Sequence, residues 1–188
     1  MKTRQIMDAD EMHRALVRVG QEIVEKHGGA EGLALVGIER RGPSLASRLA
    51  VAIEAREGVA VSVSALDVTP YRDDRAGAID PDAAAVIADP SLRPFDPGRT
   101  TVVLVDDVLF TGRTIRAALD ALMDHGRPAA VRLAVLIDRG HRELPIRADH
   151  VGKNVPTARG QHIEIRFVED GASEDEVLLI ESEGRSAG

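Results

Sequence analysis

The stretch from Thr101 to Thr114, TVVLVDDVLFTGRT, constrains this chain more than any other. Its first five residues are Val, Thr or Leu. The run is too continuous for a strand with one wet face, so Thr101–Val105 reads as a central strand buried on both sides. Asp106 and Asp107 follow at its carboxyl end. Thr111-Gly112-Arg113-Thr114 then turns into a helix with Ile115, Ala118, Leu119, Leu122 and Met123 along one face, closed by Gly126 and Pro128. A strand, a tight turn and a helix make the first part of a right-handed βαβ unit. A strand buried on both faces also needs parallel neighbours and helices above and below it.

The rest of the chain supplies those neighbours. Asp8 and Asp10 are candidate caps for a helix in which Met12, Ala15, Leu16, Val19, Ile23 and Val24 recur at three- and four-residue steps up to Gly28-Gly29. Leu33–Ile38 is a short apolar run between glycines, read as a strand. Pro43 opens a second helix with Leu45, Ala46, Leu49, Ala52 and Ile53 on one side. Val59–Leu66 and Val131–Ile137 are further strands. A polar segment, Arg139–Arg147, leads to a short strand at Asp149–Val151, and two late strands follow at Ile163–Val168 and Val177–Ile180.

This alternation predicts an α/β fold with a central parallel sheet flanked by helices, built as one domain over residues 1–188. Residues 67–99, rich in proline and charge, are too long for an ordinary connection and read as a mobile lid. Residues 139–181 read as a small hood with the late strands, and 182–188 as a frayed tail. Ligands of such sheets sit beyond the carboxyl ends of the strands. There the sequence places Glu39-Arg40-Arg41-Gly42, Asp67, Asp106-Asp107 and Asp138-Arg139.

Composition removes several function classes. Aromatics are 2% of the residues, which leaves an aliphatic core and no stacking platform for single-stranded nucleic acid. There is no cysteine, hence no disulfide, thiolate metal site or cysteine nucleophile. No apolar run is long enough to span a membrane and the first residues lack a signal-peptide core, so a cytoplasmic protein without a membrane partner is expected. The net charge of −7 disfavours nucleic acid, yet residues 126–166 carry eight basic against four acidic side chains. The histidines show no metal-ligand spacing, and no metal held by the protein alone is expected.

The turn after the Thr101 strand exposes backbone N–H groups and hydroxyls at a helix N-terminus, which suits an anion. The adjacent carboxylates would repel a phosphate and need another partner. Vicinal hydroxyls fit, as does Mg2+ held through substrate oxygens. A phosphorylated sugar with free 2- and 3-hydroxyls satisfies both halves. The bland alternative is a capped helix beside solvated acids. A response-regulator pocket would carry its acid pair on the first strand, and no Walker A pattern is present.

The segment VDDVLFTGRT, residues 105–114, resembles the phosphoribosyl pyrophosphate (PRPP) loop of type I phosphoribosyltransferases. Together with GIERRG (37–42), DVTPYRDD (67–74) and LIDRGHRELPIRADHVGKNVPT (136–157), it resembles the PyrR family. Members of that family are both RNA-binding regulators of pyrimidine operons and uracil phosphoribosyltransferases. The resemblance implies that Asp106 and Asp107 hold the ribose hydroxyls, one of them touching Mg2+ through water, and that Thr111, Gly112, Arg113 and Thr114 hold the 5-phosphate. It implies that Arg41 meets the leaving pyrophosphate in a loop, Glu39 to Gly42, with a non-proline cis peptide between Glu39 and Arg41. Arg40, where the family usually has Thr, either adds to that site or points to solvent. Arg72 on the lid closes over the pyrophosphate.

Purine-using relatives carry an Asp where this chain has Phe110, which argues for a pyrimidine. His150, in place of the usual aromatic, and Val151 would flank the base. Arg142, Arg147 and Lys153 match positions associated with RNA contact, and the first helix carries Val17, Gln21 and Lys26 where close family members often have Thr, His and Arg. The expected partners are therefore PRPP, uracil, UMP and the mRNA leader of pyrimidine genes, with assembly as a homo-oligomer. The alternative is a purine or orotate phosphoribosyltransferase without RNA binding.

Overall fold

Nine residues, Thr101–Leu109, run through the middle of the molecule as its central strand, with Val102 to Val105 almost wholly buried. The computed structural model describes residues 2–71, 98–158 and 160–181. Its elements are β1 (Lys2–Met7), α1 (Ala9–His27), β2 (Leu33–Ile38), α2 (Gly42–Glu57), β3 (Ser62–Leu66), β4 (Thr101–Leu109), α3 (Arg113–His125), β5 (Ala130–Asp138), β6 (His150–Asn154), β7 (Gln161–Arg166) and β8 (Glu176–Glu181). The main sheet has the order β3-β2-β4-β5-β6 and is parallel throughout. A second, antiparallel sheet has the order β1-β8-β7.

The two apolar layers follow from the helix stripes. Met12, Leu16, Val19 and Ile23 of α1 and Leu45, Leu49 and Ile53 of α2 pack on one face of the sheet, joined by Met7, Ile165, Phe167 and Val177 of the smaller sheet. Ile115, Ala118 and Leu122 of α3 cover the other face over Val36, Val102 and Leu104. The start of α1 is set by a capping box. Asp8 Oδ1 accepts the Glu11 N–H at 2.7 Å, and Glu11 Oε2 accepts the Asp8 N–H at 3.1 Å. No helix among the described residues is long and apolar enough to cross a membrane.

Several boundaries differ from the sequence expectation. β4 continues to Leu109, so Asp106 and Asp107 lie within the strand rather than after it. β5 is equally long and pairs Asp106 with Val135, Val108 with Ile137 and Leu109 with Asp138, which keeps the backbone extended. β3 begins at Ser62 instead of Val59, because α2 ends on Gly58 at φ 68° and the next residues complete the turn. His150–Asn154, grouped by sequence with the hood, is the fifth strand of the main sheet. β1 carries no clear alternation of its own and forms by pairing with β8, at the far end of the chain. Most of the expected lid, residues 72–97 with Arg72, lies outside the described residues, as do Arg159 and the tail 182–188. The lid's entry is described: the Tyr71 hydroxyl donates to Asp124 Oδ2 of α3 at 2.5 Å.

Candidate active site

In the strand order, β3 lies on one side of β2 and β4 on the other, so the chain reverses its winding between β2 and β4. Such a reversal opens a crevice at the carboxyl ends of the two strands. Both sequence-predicted loops start there. The loop after β2 carries Arg40, Arg41 and Gly42, and the loop after β4 carries Phe110 to Gly112.

Two glycines let the first loop settle into the crevice. A Cβ on Gly37 would stand 2.3 Å from the Gly42 carbonyl carbon and the Pro43 nitrogen. One on Gly42 would stand 2.5 Å from the Val105 carbonyl oxygen. The Glu39–Arg40 peptide is cis, the non-proline cis peptide expected in this loop. Arg40 is exposed. Arg41 turns inward, with its Nη1 3.4 Å from Asp107 Oδ2 and its Nε donating to Asp170 Oδ2 at 3.2 Å.

The second loop is built to receive an anion. Gly112 sits at φ 93°, a left-handed conformation that suits glycine, and α3 begins directly after it. Gly112 has no side chain to cap α3, and Thr111 Oγ1 accepts the Arg113 N–H at 3.4 Å, which leaves the N–H groups of the next residues of the first turn toward the mouth of the loop. Gly112 to Thr114, with Asp106, Phe110 and Thr111, line a cavity of about 350 Å3. The loop is braced from behind. Thr111 O accepts the N–H groups of Glu143 and Leu144, at 3.0 and 3.1 Å, and Arg113 Nε donates to Glu143 Oε2 at 2.9 Å. Asp106 is 7% exposed, and its Oδ1 accepts the Asp107 N–H at 2.9 Å, while Asp107 Oδ1 accepts the Val108 N–H at 2.7 Å.

These two acids are the residues that would touch a hard cation here. Among the described residues no group of three or more His, Asp or Glu is arranged to hold a metal ion. Mg2+ prefers six oxygens, so Asp106 and Asp107 fit it as partial ligands, with substrate oxygens and water completing the shell.

Residues 139–157 correct part of the sequence reading. His150 pairs in register with Ala134, four residues before the carboxyl end of β5, and is 3% exposed. It faces α1, with Nδ1 3.7 Å from Glu22 Oε2, and burial followed by the charge of Lys26 pushes its pKa down. His150 and Val151 therefore stand below the crevice and do not reach a base held at its mouth. The segment that does reach the mouth follows Asn154, the register partner of Asp138.

There lies Arg139, which the sequence places at a strand end without giving it a role. Its guanidinium lies 4.0 Å from the Phe110 ring centroid, its Nε donates to Thr157 Oγ1 at 3.0 Å, and its Nη2 to Gln161 O at 2.6 Å. The one available signal was its place directly after a strand-end Asp. Phe110, 40% exposed, is thus backed by a fixed cation and by the edge of His141.

The three basic positions associated with RNA are not equivalent. Arg142 donates to the carbonyls of Leu109, Phe110, Gly140 and Ile146 and to Asp138 Oδ2, so it braces the phosphate loop rather than standing ready as a surface cation. Lys153 is half-buried and ties β6 to β1 through Ile6 O at 2.8 Å. Arg147 is exposed. Lys26 of α1 reaches Asp149, next to β6, at 3.2 Å. Val17 and Gln21, on the other flank of α1, line a groove of about 820 Å3 against α2. That groove is larger than the crevice at the β4–α3 loop, but it is mostly apolar and its Arg48, Glu169 and Asp175 are paired with one another, so the chemistry belongs to the smaller crevice.

Comparison with known proteins agrees with this geometry. The family profile described as "Phosphoribosyl transferase domain" matches residues 2–168. The chain is 54% identical over 186 residues to a "Bifunctional protein PyrR" of Roseiflexus sp. (strain RS-1), covering 99% of this chain and 100% of that one. It is 54% identical over 184 residues to the protein of the same name from Thermus aquaticus, covering 96% and 97%. Among solved structures, the hypoxanthine phosphoribosyltransferase of Trypanosoma cruzi superposes with a TM-score of 0.69 at 17% identity, over 96% of this chain and 97% of that one. The Leishmania tarentolae HGPRT-ase in complex with GMP superposes with 0.69 at 18%, over 97% and 99%. These two establish the type I phosphoribosyltransferase fold, and the closer relatives establish the lineage: the chain belongs to the PyrR family of phosphoribosyltransferases.

Proposed function

We propose that this chain transfers the phosphoribosyl group of PRPP to uracil, forming UMP and pyrophosphate, and that it is also an RNA-binding regulator of pyrimidine genes. The observation that carries the first half is the meeting, in one crevice, of the glycine-led N-terminus of α3 after β4 and a cationic loop after β2, with two carboxylates between them.

In this reading the N–H groups and hydroxyls of Thr111 to Thr114 hold the 5-phosphate. Asp106 and Asp107 accept hydrogen bonds from the ribose hydroxyls and fix the sugar's orientation. The bond from C1 of the ribose to the pyrophosphate oxygen breaks as the bond from C1 to a uracil ring nitrogen forms, and the proton of that nitrogen passes to the departing pyrophosphate or to water. Positive charge builds on the ring in between. The carboxylates are placed to stabilise that charge, and Arg41 to stabilise the leaving anion. Mg2+, bound with PRPP, supplies further neutralisation of the pyrophosphate. Phe110 over Arg139 forms an apolar platform, where a purine enzyme's acid would stand, and this favours the more acidic pyrimidine. Arg72 belongs to the same proposal as the lid's cation.

A panel of uracil, orotate, hypoxanthine and guanine with PRPP and Mg2+ tests the assignment. Turnover of uracil alone is expected, and preference for a purine or orotate overturns it.

The regulatory half rests on the family resemblance and on the exposed Arg147. Titration of the leader RNA of the chain's own pyrimidine genes, with and without UMP, tests it. Binding no better than to a scrambled RNA overturns it. Assembly as a homo-oligomer belongs to the same proposal, and sedimentation at assay concentration tests it.

A further inference from the structure

Arg41 is shared by two acids that come from distant parts of the chain. Asp107 arrives with β4. Asp170 arrives from the turn after β7, 129 residues from Arg41 in sequence. That turn is pinned. Arg48, seven residues beyond Arg41 and on the same side of α2, donates to Glu169 at 2.9 and 2.5 Å and to Asp175 at 2.6 and 3.0 Å. Asp175 Oδ1 in turn accepts the Val168 N–H at 3.0 Å. The Arg48 guanidinium also lies 4.8 Å from the ring of the fully buried Phe167. The same helix that begins at the cationic loop thus fixes the turn that delivers an acid to that loop.

We propose that Asp170 is a positioning residue that competes with pyrophosphate for Arg41, weakening the hold on the leaving group so that it departs after transfer. The inference rests on the reading that Arg41 meets pyrophosphate. A pyrophosphate group reaching Arg41 must displace or sit beside the Asp170 carboxylate, and two negative groups on one guanidinium repel each other. The pair is partly exposed, at 39% for Arg41 and 45% for Asp170, so water screens it and the effect is modest. Weakening the ground-state grip without altering the acids at the ribose raises KM for PRPP and speeds release, a step that limits many enzymes.

The test is inhibition of UMP formation by added pyrophosphate, measured with Mg2+ for the wild type, Asp170→Asn, Arg48→Lys, Arg41→Ala and the double variant Arg41→Ala/Asp170→Asn. Asp170→Asn is expected to tighten pyrophosphate inhibition and lower KM for PRPP by roughly three- to fivefold, with KM for uracil unchanged and no gain in kcat. Arg48→Lys, which loosens the turn, shifts both in the same direction by less. In the Arg41→Ala background the Asp170 substitution adds nothing.

Weaker or unchanged inhibition in Asp170→Asn overturns the inference. So does equal tightening in the Arg41→Ala background, because the effect would then not pass through Arg41. Loss of PRPP turnover in the wild type would instead overturn the underlying reading of the crevice.

Discussion

At the scale of single residues, the carboxylates of β4 have distinct surroundings although they adjoin in sequence. Asp106 is buried beside the sheet and Asp107 is turned toward Arg41. Replacing either by Asn keeps its shape and its contact with the next N–H while removing charge at the ribose. Asp106→Asn and Asp107→Asn are each expected to lower kcat about 10²-fold, as for a positioned polar group in a closed site, with Tm little changed. Steady-state kinetics with PRPP and uracil, beside a thermal melt, checks both; near-wild-type rates in the pair would remove them from the site. In the proposed reading, base choice turns on Phe110. Phe110→Asp places an acid where purine enzymes have one and sets it against the Arg139 guanidinium. Uracil turnover is expected to fall at least tenfold, by the loss of an apolar contact and of base stacking. Comparing kcat/KM for uracil and hypoxanthine in both proteins measures it.

At the scale of elements, the crevice depends on close backbone approach where β2 turns into α2. An added methyl at Gly37 meets two backbone atoms at 2.3 Å, which neither neighbour can relieve by rotating a side chain. Gly37→Ala is expected to cost about 2–3 kcal/mol of stability and to abolish turnover, readable from denaturant unfolding. A second seam joins α1 to β6. Asp149 accepts the Leu133 N–H at 3.0 Å and pairs with Lys26. Burial works against its charge, but these contacts outweigh it and hold the carboxyl below the ordinary range. His150 beside it is held neutral by burial and by Lys26. The signs follow. An imidazole with a depressed native pKa binds protons more readily when unfolded, so stability falls as pH drops below about 6.5. The Asp149 contribution persists there and is lost only in more acid solution, below its ordinary carboxyl range. Melting curves between pH 7.5 and 5.5 should show a falling Tm for the wild type and a flatter response for His150→Phe. An equal slope in both would remove His150 as the cause.

At the scale of the whole molecule, the chain is acidic, with a net charge of −7, and two of the three basic residues associated with RNA contact have other duties. Arg142 is committed to the phosphate loop and Lys153 to β1, which leaves Arg147 as the exposed member of the three. If this surface binds leader RNA, Arg147→Ala should weaken binding severalfold and flatten its dependence on salt, by the loss of about one phosphate contact. Uracil turnover should stay unchanged. Arg142→Ala should instead damage catalysis, because it frees the loop that holds the 5-phosphate. Parallel measurement of RNA affinity at two salt concentrations and of uracil turnover separates the roles, and equal loss of both functions in both variants would contradict that division.

The order of residues along β4 and α3 was enough to determine the parallel sheet, the glycine turn and the adjoining acids, because all of these are written within one contiguous strand-turn-helix. The cis peptide after β2 was expected only from the family resemblance of that loop, and it stands at Glu39–Arg40. Three matters were decided only by tertiary structure. β1 exists because β8 pairs with it across nearly the whole chain. His150 leaves the base site because β6 joins the main sheet in a register set by β5, which a five-residue polar strand does not announce. Asp170 meets Arg41, and Arg139 meets Phe110, through contacts whose geometry depends on how the second sheet seats against α2 and on where the strands end. Local sequence carries periodicity, caps and turns, since these depend on neighbours a few residues away. Which distant charges share one crevice is fixed by long-range packing, and that is a property of the assembled sheet.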